Sequence, residues 1–378
     1  MERDCYTHHK LTDAMISLRP KKLDMYIFKK FMGTFFGAIV LIIGIVIIFD
    51  ISEKIDDFVT NQAPVNEIIF DYYLNFVPYF MNMFSPLFVF LSVIFFTSRL
   101  TANSEIIAIL SGGVSYHRMM VPYIAGATLL ALLSLGLNLY VIPVSNKDKV
   151  KFEEKYIKEK RKKSVRDVHY QIAPGQFVYV ESFSTWNNTA YKFTLEEIKD
   201  NELVSKVTAE SAVWDSTAGA WRLNKYFIRN YTDGLQDRIV SGSRKDTVIN
   251  LTVSDFYHSS NTVETLDRKE LNEMIQTQKM RGDKNVMYAL IEKQNRYSLP
   301  FSAFILTIMG VALSTKKRRG GIGWNIALGI ALSFSYILFM KFSQMFVYTG
   351  ALPVAVAIWL PNVLFTIIAI FLYRLAPK

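Results

Sequence analysis

The sequence predicts a polytopic α-helical membrane protein with six transmembrane helices and an all-β domain between helices three and four. Three observations predict it. Six apolar runs with almost no charge are each long enough to cross about 30 Å of hydrocarbon at about 1.5 Å per residue. Between the third and fourth runs the pattern changes to period two, rich in aromatic and β-branched residues. Of the 378 residues 51% are hydrophobic, with a mean hydropathy of +0.19, which is high for a chain folded in water.

The first span, Phe31 to Phe49, carries no charge. Lys21, Lys22, Lys29 and Lys30 precede it and Asp50, Glu53, Asp56 and Asp57 follow it, which puts the N-terminal tail, residues 1–22, in the cytoplasm. Mixed-charge residues come before this run and no small-residue cleavage site follows, so it is expected to remain as an anchor. The second span lies within Tyr72 to Ser98, where Pro78 and Pro86 are expected to bend or interrupt the helix. The third lies within Met119 to Asn146. Spans four to six follow as Tyr297 to Thr315, Gly321 to Tyr348 and Pro353 to Tyr373, with cytoplasmic flanks at Lys316 to Arg319 and at Arg374 and Lys378.

Between spans two and three stands a polar island, RLTANSEIIAILSGGVSYHRMM, from Arg99 to Met120. It predicts a short helix over 103–113. Asn103 or Ser104 would cap it, and Glu105 suits the first turn, where a carboxylate meets the positive end of the helix dipole. Ile106, Ile107, Ile109 and Leu110 give one apolar side, and Gly112 and Gly113 end it. Two readings stand: a docking surface for another chain, or a loop helix lying on lipid headgroups.

The domain of residues 147–285 opens with a charge run, Lys147 to Arg166, read as a solvated helix. Strands are expected at QFVYVESF, YKFTLEEI, LVSKVTAESAVW, AWRLNKYFIRNY and TVINLTVSDF. Turns are expected at Asn187-Asn188, Asp200-Asn201, Asp215 to Gly219, Asp233-Gly234 and Ser241-Gly242, giving a sandwich or an open barrel outside the membrane. A helix from Asp267 to Met280 closes the domain, with Asp267 and Glu270 at capping-box spacing and Gly282 as its stop. Residues 286–378 return the chain to the membrane.

Several function classes drop out. No Gly-Lys pair exists in the chain, so it has no phosphate-binding loop of the nucleotide-hydrolysing kind, and any energy must enter from another chain. The single cysteine, Cys5, permits no intrachain disulfide, and His8, His9, His117, His169 and His258 are not at metal-ligand spacing apart from the adjacent pair in the tail. No catalytic triad or paired carboxylates with a pocket stand out. The net charge of +10 lies mostly beside apolar segments, where lipid phosphates and topology account for it without nucleic acid. Lys341 is the one charge well inside a predicted span, and it either snorkels to the outer headgroups or meets an anionic substrate. Asp50, Glu53 and Lys54, at the outer end of span one, are flank charges or substrate contacts on the same reasoning.

The order of parts resembles the lipopolysaccharide export permease family of the LptF and LptG type. The likeness rests on LDMYIFKKF opening span one, the SE and SGG of the loop helix, QFVYVESF and AWRL in the outer domain, and AIWLPNVLF in span six. LDMYI, QFVYVE and AWRL lean towards the LptG branch. The resemblance implies a non-enzymatic subunit of an ABC transporter in the bacterial inner membrane, with both termini cytoplasmic. Its expected partners are a sister permease, two copies of a cytoplasmic ATPase that hold the ATP and Mg, and a periplasmic jellyroll bridge protein; this chain itself has no cofactor. The helix at 103–113 becomes the coupling helix within residues 23–146, with Glu105 entering the ATPase groove beside Ile106 and Ile109, and Gly112 and Gly113 shaping the turn. The β domain becomes a periplasmic β-jellyroll that receives lipopolysaccharide, and spans one and five line gates and cavity, which favours Lys341 as a phosphate contact. Where LptG relatives can carry a lysine at the outer end of span one, this chain has Asp50, with Lys54 one turn on. Alternatives are an ABC permease of the lipoprotein-release or mechanotransmission type, whose large outer domain follows span one, and a receptor or assembly factor that does not transport.

Overall fold

The protein is seen as a computed structural model that describes residues 22–157, 164–231, 238–256, 263–283, 285–315 and 321–376. Cys5, His8, His9, His258, Asp233-Gly234, the Lys316 to Arg319 flank and Lys378 lie outside the described residues.

Helix α1 spans Lys22–Thr60, and a π-helical stretch, Ile68–Tyr73, leads into α2, Leu74–Met83. α3 is Ser85–Ala102, α4 Glu105–Ser111 and α5 Tyr116–Gly136; a second π-helical stretch, Leu137–Val141, runs into α6, Ile142–Tyr156. Strands β1 Ser164–Ala173, β2 Gln176–Ser184, β3 Thr189–Lys199, β4 Glu202–Asp215, β5 Ala220–Asn230 and β6 Arg238–Thr247 follow, then α7 Arg268–Arg281, α8 Val286–Ser314, α9 Gly321–Tyr348 and α10 Val354–Arg374. Six helical stretches among the described residues are long and apolar enough to cross a membrane: Lys22–Thr60, Ser85–Ala102, Tyr116–Tyr156, Val286–Ser314, Ile322–Tyr348 and Val354–Arg374. With the β domain between the third and fourth, this is the fold class the sequence predicts.

The prolines of the second span act differently from each other. Pro78 lies inside α2, whereas Pro86 stands in the first turn of α3, where its missing N–H costs nothing, so it starts a helix and bends none. The helix break falls at Phe84. The charged run after Asn146 is helical to Tyr156, but one face is covered: Phe152 and Tyr156 are buried. The end of that run, from Ser164 to Arg166, is strand and not helix, since β1 begins at Ser164.

The described residues form two compact units, one within Met1–Ser52, Val77–Asn138 and Gln294–Lys378, the other within Glu53–Phe76 and Leu139–Lys293. In the helical unit, close approach of backbones is made possible by glycine. A Cβ on Gly126 of α5 would lie 2.5 Å from a Phe31 ring carbon, and one on Gly310 of α8 2.9 Å from Val93. Side-chain hydrogen bonds join the helices: the Asn325 amide donates to the Ser98 hydroxyl at 3.0 Å, Thr101 to the Ser314 carbonyl at 2.7 Å, Tyr336 to Asn362 Oδ1 at 2.7 Å, and the Asn362 amide to the Ser298 carbonyl at 2.9 Å.

In the β-bearing unit the six strands make one antiparallel sheet in sequence order. Positive φ at both Asp200 and Asn201 closes the two-residue β3–β4 turn. Gly175, at φ +75°, is fixed as glycine because any Cβ would run into the Ile198 carbonyl. Three expectations are corrected. β1 and β6 are strands that the period-two pattern does not mark: β1 starts within the end of the charge run, at Ser164, and β6 is an edge strand with little of either face buried. Ser241-Gly242 is no turn but part of β6, and the glycine is there because a Cβ would meet the Tyr226 ring at 2.8 Å. TVINLTVSDF is no strand beyond Thr247: it crosses the sheet's apolar face, burying Leu251 and Phe256, and its Leu251 carbonyl accepts the Trp221 indole N–H at 2.7 Å instead of a ladder bond. Helix α7 has the capping box read from sequence, Asp267 with Glu270, and Gly282 in the left-handed conformation at its end.

Candidate functional site

The loop helix α4 is built from the way two helices meet. α3 ends at Ala102, with the Asn103 N–H on the Arg99 carbonyl and the Ser104 N–H on the Thr101 carbonyl, both at 3.0 Å. Ser104 takes a left-handed φ of +61° to turn the chain, and α4 starts at the next residue. One residue therefore terminates the first helix and precedes the second, and neither expected cap forms: the Ser104 hydroxyl makes no capping bond. The Asn103 amide instead donates to Glu105 Oε1 at 3.2 Å, and the Tyr26 hydroxyl of α1 donates to Glu105 Oε2 at 3.3 Å. Both carboxylate oxygens are thus oriented by the chain's own donors while Glu105 remains half-exposed.

The apolar side of α4 divides in two. Ile106 is buried in the core with Ile27, Phe31 and Met119, and Leu110 packs against it, whereas Ile107 is 50% exposed and Ile109 half-buried. The helix ends at Gly112, and Gly113, at φ +85°, makes the reversal that side chains other than glycine rarely adopt. Ser115 then caps α5 by accepting the Arg118 N–H at 3.3 Å. This arrangement makes a ledge, with a carboxylate and an exposed isoleucine on a base anchored by the buried Ile106.

The other sequence-predicted residues sit apart from this ledge. Lys341 is exposed on α9 among exposed Leu338, Phe342 and Met345. Asp50 is half-buried on α1. Lys54 is turned onto its own chain: its ammonium donates to the Tyr72 hydroxyl and lies 4.8 Å from that ring's centroid. Tyr72 is itself fully buried among Phe58, Tyr73, Phe76 and Phe152. Among the described residues no three His, Cys, Asp or Glu side chains are grouped to hold a metal.

Sequence reasoning missed what stands behind the ledge. Arg118, in the first turn of α5, forms a two-pronged ion pair with Asp24 of α1, Nη1–Oδ1 2.9 Å and Nη2–Oδ2 2.5 Å. Asp24 lies in LDMYI and Arg118 in SYHRMM. The available signal was opposite charges at the starts of helices expected at one membrane face, but only the fold brings residues 94 apart into register. His117 and Tyr373 of α10 also share a hydrogen bond here. The β-bearing unit holds a second candidate, a cleft of about 540 Å³ lined by His169, Phe177, Tyr179, Glu196, Lys206 and Arg281 among others. Its cations are paired, Lys206 with Glu196 at 2.8 Å and Arg281 with Asp255 at 2.5 Å.

Comparison with known proteins gives one match by family. A family model described as lipopolysaccharide export system permease LptF/LptG matches residues 25–375, nearly the whole chain. No curated protein matches it.

Proposed function

We propose how this chain works from what it is: it belongs to the LptF/LptG family of lipopolysaccharide export permeases, and is a transport subunit of the inner membrane rather than an enzyme. In this reading it pairs with a sister permease, itself taking the LptG-like place suggested by LDMYI, QFVYVE and AWRL. Two copies of a cytoplasmic ATPase bind the pair, holding ATP and Mg²⁺ that this chain does not bind. The termini and α4 face the cytoplasm and the β domain the periplasm. ATP-driven closure pushes on α4, the cavity between the membrane helices narrows, and the glycolipid is driven upward to the β domain and on to a periplasmic bridge. Lys341, exposed on α9, meets a lipid A phosphate. Asp50 and Lys54 are further substrate contacts in this reading, Lys54 exchanging the Tyr72 hydroxyl for a phosphate oxygen.

The observation that carries this reading is the ledge of α4. A seven-residue helix whose carboxylate is held by Tyr26 and Asn103, with Ile107 left in the open, is more construction than a loop on lipid headgroups needs. The runner-up classes fare worse: the β domain follows the third membrane stretch and not the first, which disfavours the lipoprotein-release and mechanotransmission types. The test is co-purification in detergent. An ATPase and a lipid A species are expected together with the native chain. Glu105→Ala should lower ATPase recovery about ten-fold or more, equivalent to about 1.4 kcal/mol of binding or greater. Full recovery of the ATPase with Glu105→Ala would sink the docking role.

A further inference from the structure

We infer that the Asp24–Arg118 ion pair is the link by which displacement of α4 is carried to α1, making the first membrane helix the follower of the loop helix. The inference rests on the reading of α4 as the docking element and adds the next part in the chain of motion. Four observations support it.

First, the pair is built for position. Both guanidinium prongs meet both carboxylate oxygens, and the side chains are only 21% and 14% exposed, so geometry is fixed in two directions and solvent screening is reduced. Second, α5 does not need Arg118 for its own sake. A cation in the first turn opposes the helix dipole, and the N–H of this residue is already satisfied by Ser115. The guanidinium is there for a carboxylate on another helix, and Asp24, in the first turn of α1, has the sign its own helix favours. Third, the same end of α1 touches α4 directly: Tyr26, two residues along from Asp24, donates to Glu105. The start of α1 thus engages the carboxylate of α4 and the guanidinium of α5. Fourth, the material between is close-packed. Ile106 of α4 shares one buried cluster with Ile27 and Phe31 of α1 and Met119 of α5, and Phe31 lies 6.1 Å from Phe96 and 6.5 Å from Tyr123 between ring centroids, against the bare Gly126. Such an assembly shifts as a body more readily than it deforms.

Loss of the pair leaves the packing in place and frees only the start of α1. The expected defect is therefore in coupling and not in folding or ATPase binding. The experiment uses the complete transporter in proteoliposomes loaded with lipopolysaccharide, following ATP hydrolysis and glycolipid extraction together. Asp24→Arg and Arg118→Asp should each keep ATP hydrolysis within about two-fold of the parent and lower extraction per ATP about ten-fold, with the double swap restoring it to within about three-fold. Arg118→Lys, which keeps charge but loses the fork, should fall between, and serves alone if the reversals do not assemble. Unchanged extraction per ATP in the single reversals or in Arg118→Lys, or no recovery in an assembled double swap, overturns the link. Glu105→Ala separates the two readings. If it releases the ATPase while the ion-pair variants extract normally, the link fails and docking stands; if it retains the ATPase, docking fails whatever the ion pair does.

Discussion

The helical unit and the β-bearing unit bury side chains by different means, and the difference follows from what surrounds them. Lipid tails are as apolar as leucine, so no hydrophobic drive brings membrane helices together; close contact and interhelical hydrogen bonds must do it. The helical unit accordingly sets Gly126 against Phe31 and Gly310 against Val93, and ties α8, α9 and α10 through Ser298, Tyr336 and Asn362. The β-bearing unit uses size instead. Trp221 is completely buried, Phe183 and Phe256 stack at 4.1 Å, and a segment without strand structure covers the sheet's apolar face. A large side chain is the asset in one unit and the obstacle in the other.

Substitutions that reverse this logic should separate the units. Trp221→Ala opens the core under Leu251 and removes the indole bond to its carbonyl; a loss of about 3–5 kcal/mol is expected from truncating a buried tryptophan. Pulse proteolysis should then cut within β1–β6 while the helical unit stays protected; cutting spread evenly over both units would mean that they do not hold their cores independently. Gly126→Val adds bulk where the Phe31 ring has no room and should cost about 1–3 kcal/mol by overpacking, seen as a lower melting temperature of the helical unit in detergent. An unshifted melt would mean that Phe31 yields freely. Asn362→Leu removes the node between Tyr336 and the Ser298 carbonyl and should cost about 0.6–2 kcal/mol, the range of single interhelical hydrogen bonds.

The smallest effect belongs to the exposed β4–β5 turn. The Thr217 hydroxyl, then the Ala218 and Thr217 N–H groups, hold the Asp215 carboxyl at about 2, below its ordinary 3.8. A carboxyl lowered on folding contributes stability that is complete above the unfolded value and is lost as pH falls from about 4 through about 2. Asp215→Asn should flatten that part of the acid-unfolding curve; an identical curve would mean that the turn's hydrogen bonds survive protonation.

Length and period alone fix six membrane-crossing stretches, an all-β region between the third and fourth, and α7 with Asp267, Glu270 and Gly282 at its ends. These are local properties, settled by residues within a few turns or strands of one another. Tertiary structure decided what depends on a second segment. TVINLTVSDF alternates like a strand but finds its partner in Trp221, Ser241-Gly242 is read as a turn until Tyr226 is seen opposite, and Lys54 looks like an open cation until Tyr72 receives it. The loop helix shows both sides. Its place, its carboxylate and its glycines were legible in SEIIAILSGG, whereas the idle Ser104 hydroxyl, the hold of Tyr26 on Glu105 and the Asp24–Arg118 pair behind it are contacts that exist only once distant helices are packed.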